Sequence, residues 1–286
     1  MSAPFSAALA LTALSEDGAG GQAFGAELGS SWTIGPKAHG GMLLALCANA
    51  AVATLQTGPR AGEPGSELQP LAVSASYLSP PDPGPVQLET VLRKRGRTVS
   101  LVDVELRQNG RSAVRATVTL GPAEAGEALF ERAHPMADMA PEPPVDAVDV
   151  SGHPLGKIVH VAEVCELRVD PATAGFLRGA FNADPVIRLW VKPLGEVPDA
   201  LFALMAGDVS PPVTLNLGRL GWAPTVQLTA LLRGQPAEGW LRVQMSTTKV
   251  GASWFDGDAI VLDSAGALVC QARQLALAPA VSAPSP

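Results

Sequence analysis

Three groups of residues in this chain could do chemistry, and they lie far apart in sequence. His39-Gly40-Gly41 opens a long apolar stretch with helical character, and Asp208 closes a second, shorter one. Gln274 is the lone amide on an otherwise apolar strand face. A helix N-terminus presents unpaired N–H groups and a partial positive charge, so it can hold an oxygen on which negative charge develops. Gly40 and Gly41 would let such an oxygen approach with no Cβ in the way. They would equally permit tight contact between two helices. His39, just before them, reads either as a further donor or as a simple cap. Asp208 sits where a helix dipole disfavours a negative charge; burial there would raise its pKa and suit it to accept a proton. The alternative is an exposed acid that merely ends a helix.

Strand parity singles out Gln274. Leu268, Cys270, Ala272, Gln274 and Ala276 share one face, four apolar residues and one amide. A buried amide must find hydrogen-bond partners, and a water with a carboxylate, or a neighbouring strand, would supply them. Gln271 and Arg273 belong to the opposite, solvated face.

The elements that must position these residues come in two matching sets. Residues 104–120 (VELRQNGRSAVRATVTL) and 260–276 (IVLDSAGALVCQARQLA) both read as strand, turn, strand, with Gly110 and Gly266 at the same place in the turn. Each half carries one apolar helical stretch upstream of that hairpin. The first has the glycine pair and no carboxylate; the second has the carboxylate and no glycine pair. A repeat with its polar equipment divided in this way implies one composite site.

In the first half, 24–34 reads as extended, 39–56 as a helix apolar on nearly every side, and 71–78, 86–95, 99–107 and 111–120 as strands. A helix apolar all round is a buried helix, and strands wrapping it would bury it. In the second half, 159–169 and 186–191 read as strands and 198–207 as a helix with Asp199 in its first turn, stopped by Pro211-Pro212. Strands follow over 225–233, 241–250, 254–262 and 268–277. The expected organisation is a domain over 1–121, a Pro-rich linker over 122–156 and a second domain over 157–286, whose tail from about 279 is too rich in Pro, Ala and Ser to pack.

Composition sets outer limits. A chain of 286 residues, 47% hydrophobic and 16% charged, is globular and long enough for two cores. A net charge of −7 argues against nucleic acid as a partner. Arg93, Lys94, Arg95, Arg97 and Arg107 crowd one hairpin, as a solvated face or as a phosphate-contacting rim. Cys47, Cys165 and Cys270 show no metal or redox spacing, so buried free thiols in a reducing compartment are expected. The apolar run near the N-terminus has no basic residue before it, which speaks against a signal peptide, and no apolar stretch approaches a membrane span. A cytoplasmic protein without membrane insertion is the expectation.

Three segments carry a family resemblance: WTIGPKAHGGMLLALCANAA, YLSPPDPGPVQLETVLRKRGRTVSLVDVEL and FDGDAIVLDSAGALVCQARQLAL. Together they resemble the double hotdog acyl-CoA thioesterases, in particular the thioesterase II (TesB-like) group. The resemblance implies an α+β fold of two curled antiparallel sheets, each wrapped around a central helix. It implies hydrolysis of fatty acyl-CoA by an activated water, with no cofactor and no metal, in a homo-oligomer (dimer or higher). By the same resemblance Asp208, Thr225 and Gln274 hold the water, and His39, Gly40, Gly41 and Met42 serve the oxyanion and substrate. Parity places Thr225 with Gln227 and Thr229, away from the apolar face of Val226, Leu228, Ala230 and Leu232. The chain departs from the family where Gln227-Leu228 stands in place of the usual Asp-His pair. An acyl pocket would draw on Trp32, Tyr77, Trp222, Trp254 and Phe255, each also plausible as ordinary core.

Rival chemistries leave little trace. A hydratase of this fold would place a His five residues after an Asp, and none of the four His residues has that spacing. GxSxG, a metal-ligand cluster and a GxGxxG after a strand are all absent from the sequence. A non-catalytic acyl-CoA or acyl-lipid binding protein is the remaining alternative.

Overall fold

The computed structural model describes residues 4–17, 21–56, 68–96, 98–124 and 128–279. The chain opens with α1 (Pro4–Ala8), β1 (Thr12–Asp17), β2 (Gly21–Leu28) and a small hairpin of β3 (Thr33–Ile34) and β4 (Lys37–Ala38). Then come α2 (Gly40–Gln56), β5 (Leu68–Tyr77), β6 (Gly84–Lys94), β7 (Ser100–Gln108) and β8 (Arg111–Pro122). The second half runs β9 (Val148–Asp149), β10 (Cys165–Val169), β11 (Val186–Pro193), α3 (Ala200–Ala206), β12 (Thr225–Leu232), β13 (Leu241–Ser246), β14 (Trp254–Leu262) and β15 (Leu268–Leu277).

Thirteen of these strands form one sheet in the order β1-β2-β6-β7-β8-β5-β12-β15-β14-β13-β11-β10-β9. The order is symmetric about the β5–β12 pair: β2-β6-β7-β8-β5 on one side answers β11-β13-β14-β15-β12 on the other. The seam is antiparallel, with Gln227 opposite Ser76 and Leu228 opposite Ala75. The Ser74 and Thr229 hydroxyls meet across it at 2.8 Å. The paired hairpins read from sequence are β7–β8 and β14–β15. In the first, Asn109 (φ 52°) and Gly110 (φ 74°) make the left-handed two-residue turn that suits strand twist.

α2 packs against β2 and β5–β8, and α3 against β12, β13 and β15; the two helices also pack on each other. Met42 through Ala48 along α2 are all buried, in keeping with a helix that has no polar face. Among the described residues no helix is long and apolar enough to cross a membrane. All three cysteines are free and buried.

Several local expectations are corrected. α3 begins at Ala200, because Asp199 caps it, its Oδ1 accepting the Phe202 N–H at 2.7 Å. It runs to Ala206 with Gly207 as its C-cap, so the helix closes before Pro211-Pro212 is reached. The strand expected over 159–169 starts only at Cys165, after a 3₁₀ turn over His160–Glu163. The strand expected over 241–250 stops at Ser246; Asp256 then draws the chain into a loop by accepting the Thr248 and Lys249 N–H groups.

Most described residues of the Pro-rich segment are exposed, but it is anchored to the second half at a few points. Met136 and Met139 are buried with Trp190, Trp240 and Leu262 on the outer side of the second half. Trp190 Nε1 donates to Ala140 O and Arg242 Nη1 to Met139 O, each at 2.8 Å. β9 extends the sheet edge through β10. The tail 280–286 lies outside the described residues.

Candidate active site

The first helix turn is held by the residue before it. His39 is buried at the N-cap of α2, and its Nδ1 accepts the Met42 N–H at 3.2 Å. That contact puts the ring proton on Nε2, which donates to the backbone oxygen of Asp208 at 3.2 Å. Burial pulls the His39 pKa down to about 4, so the ring is neutral at ordinary pH. Both ring nitrogens are therefore engaged, and His39 clamps the start of α2 to the end of α3. Of the two readings open for His39, a further donor or a cap, this geometry is that of a cap. The Met42 N–H is likewise taken.

The glycine pair lets the two helices meet. A Cβ on Gly41 would lie 2.5 Å from Met205 O, and a Cβ on Gly40 would lie 2.6 Å from Asp208 Oδ2. No larger residue fits at either position without displacing α3 or the carboxylate. Asp208 follows Gly207 at the end of α3, and its side chain lies against the Gly41 backbone, a Cβ on Gly41 falling 3.0 Å from Asp208 Cβ. Burial pushes its pKa up to about 7, with the Gly41 N–H pulling the other way. Gly207 can lie flat on β15: a Cβ there would stand 3.2 Å from the Ala272 methyl and 3.4 Å from Cys270 Sγ.

Gln274 lies two residues beyond Ala272 on that same face of β15, half-buried. Its Oε1 accepts the Thr225 hydroxyl at 2.7 Å. Its Nε2 has no hydrogen-bond partner among the described residues. The side chain crosses Gly257 on β14, where a Cβ would come within 3.0 Å of both Cγ and Nε2. Thr225 reaches Gln274 because β12 is bulged: Thr225 opposes Ala276 and Gln227 opposes Leu275, so one extra residue intervenes. The bulge moves Thr225 onto the inner face with Leu228 and leaves Gln227 exposed. Simple alternation, which grouped Thr225 with Gln227, is corrected by this one insertion.

The aromatic candidates separate. Tyr77, at the end of β5, donates its hydroxyl to Gly40 O at 2.8 Å and is the one of the five that touches the glycine–aspartate cluster. Trp32 is core, its ring 5.6 Å from that of Phe5. Phe255 is buried on the inner face. Trp254, its neighbour, points to the opposite face and is 47% exposed; Trp222 is 49% exposed. Trp254 therefore does not share a face with Phe255. The basic hairpin is internally paired: Arg93 meets Asp103 at 2.6 Å, Arg107 meets Glu105 at 2.8 Å and Arg95 donates to Leu55 O. Arg97 lies outside the described residues.

Two features of the site were missed in the sequence, the Tyr77–Gly40 bond and the gap at Gly257. A lone glycine inside the strand FDGDAIVL was the available signal for the second. The hydroxyl of Tyr77 had no comparable signal.

The described residues contain no group of three or more His, Cys, Asp or Glu side chains arranged to hold a metal. What the arrangement offers is a proton acceptor with a pKa near neutrality, an amide donor and a hydroxyl on the adjoining face, and a helix N-terminus beside them.

Comparison with known proteins identifies the family and the fold. The profile of the acyl-CoA thioesterase N-terminal domain matches residues 28–121, and that of the acyl-CoA thioesterase C-terminal domain matches residues 131–278. An uncharacterized protein of Mycobacterium tuberculosis is 47% identical over 296 residues, covering 98% of this chain and 100% of its own length. A crystal structure of a proposed thioesterase II from Thermobifida fusca superposes with a TM-score of 0.79 at 26% identity, over 96% of this chain and 97% of that one. A hot dog fold protein of unknown function from Alicyclobacillus acidocaldarius superposes with a TM-score of 0.74 at 21% identity, over all of both chains, and supports the fold alone. The fold is thus of the hotdog type, α+β, and the chain belongs to the acyl-CoA thioesterase family, in its TesB-like (thioesterase II) group.

Proposed function

We propose that this protein is an acyl-CoA thioesterase that hydrolyses fatty acyl-CoA to the free acid and CoA. Its two halves act as a double hotdog, each curled sheet holding its own helix. The observation that carries the reading is Asp208, a half-buried carboxyl with its pKa pushed up to about 7, seated against the glycine-opened N-terminus of α2. Such a group is poised to take a proton near neutral pH.

In the proposed reaction a water bound beside Asp208 is oriented by the Gln274 Nε2–H and by the Thr225–Gln274 pair. Asp208 accepts a proton as the water oxygen attacks the thioester carbonyl. The carbonyl oxygen, now negative, is stabilised at the N-terminus of α2. The Gly41 N–H lies beside Asp208 and the Met42 N–H is taken by His39, so the Gly40 N–H, which has no partner among the described residues, is the donor at hand. Collapse of the tetrahedral intermediate breaks the C–S bond, and the proton on Asp208 passes to the departing thiolate. The products are one carboxylic acid and one CoA thiol. No step calls for a metal or a redox cofactor. Tyr77 and Phe255 supply apolar surface on the inner face for the acyl chain.

The test is release of free thiol from an acyl-CoA chain-length series. Time-dependent thiol that disappears in Asp208→Asn supports the reading. Acyl-CoA binding with no thiol release would instead mark a non-catalytic carrier of the same fold.

A further inference from the structure

Tyr77 has a place in the site that an acyl-pocket wall does not require. It ends β5 and lies one step past the last paired residues of the seam, Ser76 and Gln227. Alternation puts it on the inner face with Ala75, opposite the β12 stretch where the bulge brings Thr225 inward. Tyr77 therefore contacts the Gly40–Asp208 cluster from the same inner face on which the Thr225–Gln274 pair lies. Its ring carbons lie 3.6 Å from the position a Gly40 Cβ would take, and its hydroxyl donates to Gly40 O at 2.8 Å.

The Gly40 carbonyl and the Gly41 N–H belong to one planar peptide group and point in opposite directions across it. One end of that group is held by Tyr77, and the Asp208 side chain sits beside the other. A hydrogen bond to the carbonyl both orients the plane and polarises the N–H at its far side. We propose that Tyr77 is a positioning residue: its hydroxyl fixes the Gly40–Gly41 peptide so that the Gly41 N–H is held on the Asp208 carboxylate. This inference rests on the reading of Asp208 as the proton acceptor, and it adds a third strand, from the first half, to the machinery that sets it.

The surroundings leave few other groups to confuse a titration. His39 is neutral, with its pKa lowered to about 4, and Cys47 on α2 and Cys270 on β15 are pushed up to about 12. Burial and the nearby Asp208 carboxyl raise the Tyr77 phenol itself well above its usual range. Asp208 is thus the group at this site that changes charge between about pH 5 and 9.

The experiment is Tyr77→Phe, which keeps the ring on Gly40 and removes the hydroxyl. kcat and KM are measured across pH 5–9, and the Asp208 carboxyl is titrated by carbon NMR on aspartate-labelled protein, its resonance identified by its absence in Asp208→Asn. Weakening a donor to the charged form should raise both the acid limb of kcat and the NMR midpoint by about half to one pH unit, with KM within about twofold of the parent. A midpoint and limb that superpose on the parent, with any loss confined to KM, would overturn the inference and leave Tyr77 a pocket wall. A midpoint that rises while Asp208→Asn retains turnover would uphold Tyr77 as a positioning residue and overturn the hydrolytic reading instead.

Discussion

Replacing Asp208 by Asn should abolish turnover and make the folded chain more stable above neutral pH. The folded carboxyl titrates near 7, against an ordinary value of 3.8. Between those two values the folded state binds a proton that the unfolded chain has released, so stability falls as pH rises through this window. Above pH 7 the full penalty applies. A gap of about 3 pH units corresponds to about 4 kcal/mol, and solvent contact along the half-buried residue makes this an upper bound. Asn carries no charge to desolvate, and its Oδ1 can still lie beside the Gly41 N–H. Urea unfolding of parent and variant should therefore coincide near pH 4 and separate progressively toward pH 8, the variant being the more stable. Over the same range kcat/KM of the parent should rise to a plateau with a midpoint near 7, and that of the variant should be lower by about 10² to 10⁴. A variant less stable than the parent at pH 8, or a stability difference independent of pH, would show that the carboxyl is not held charged against its environment. The role given to it would then fail with it.

Gly40→Ala should lose most turnover with a modest fall in Tm, because its Cβ meets a carboxylate that can rotate aside, 2.6 Å away. Gly41→Ala should instead unfold at a clearly lower temperature, because its Cβ meets the Met205 backbone oxygen at 2.5 Å and the helices must separate. Gln274→Ala should lower kcat by about 10- to 100-fold, the worth of one hydrogen bond to a charged or reacting group, with Tm nearly unchanged. Met136→Ala, in the strap across the outer face, should cost about 2–5 kcal/mol in urea unfolding while leaving kcat alone, since it lies on the far side of the sheet from Asp208.

Much of the fold was legible because its signals are local and repeated. Alternation gave the bounds of β14 and β15, and the uniform apolar character of α2 announced its burial. The glycine pair, Asp208 and Gln274 stood out because each breaks the pattern of its own element. What stayed hidden depends on contacts between distant segments. The bulge after Thr225 is a matter of how β12 registers on β15, and no residue within β12 marks it. The segment around Met136 and Met139 has no periodicity, since single methionines and backbone carbonyls, one by one, find Trp190 and Arg242. The strand expected from 159 begins with a 3₁₀ turn in which His160 Nδ1 meets the Thr33 hydroxyl of the other half at 2.6 Å. That is a tertiary contact, outside the reach of local propensity.

The glycine pair admits two readings from sequence, a packing device or an anion-binding helix start, and the geometry makes them one. Gly41 has to be small for α2 to reach the Met205 carbonyl, and that approach is what delivers Asp208 to the first turn. Once there, Asp208 sits beside the Gly41 N–H, and His39 spends the Met42 N–H. The helix start therefore has fewer free donors than a bare N-terminus, and the proton acceptor is tuned by the same amide that a simpler scheme would reserve for substrate. A change that enlarges either glycine cannot weaken packing alone or chemistry alone. Variants at these two positions should show stability and turnover moving together, whereas variants at Thr225 and Gln274, across the bulge, should move turnover by itself.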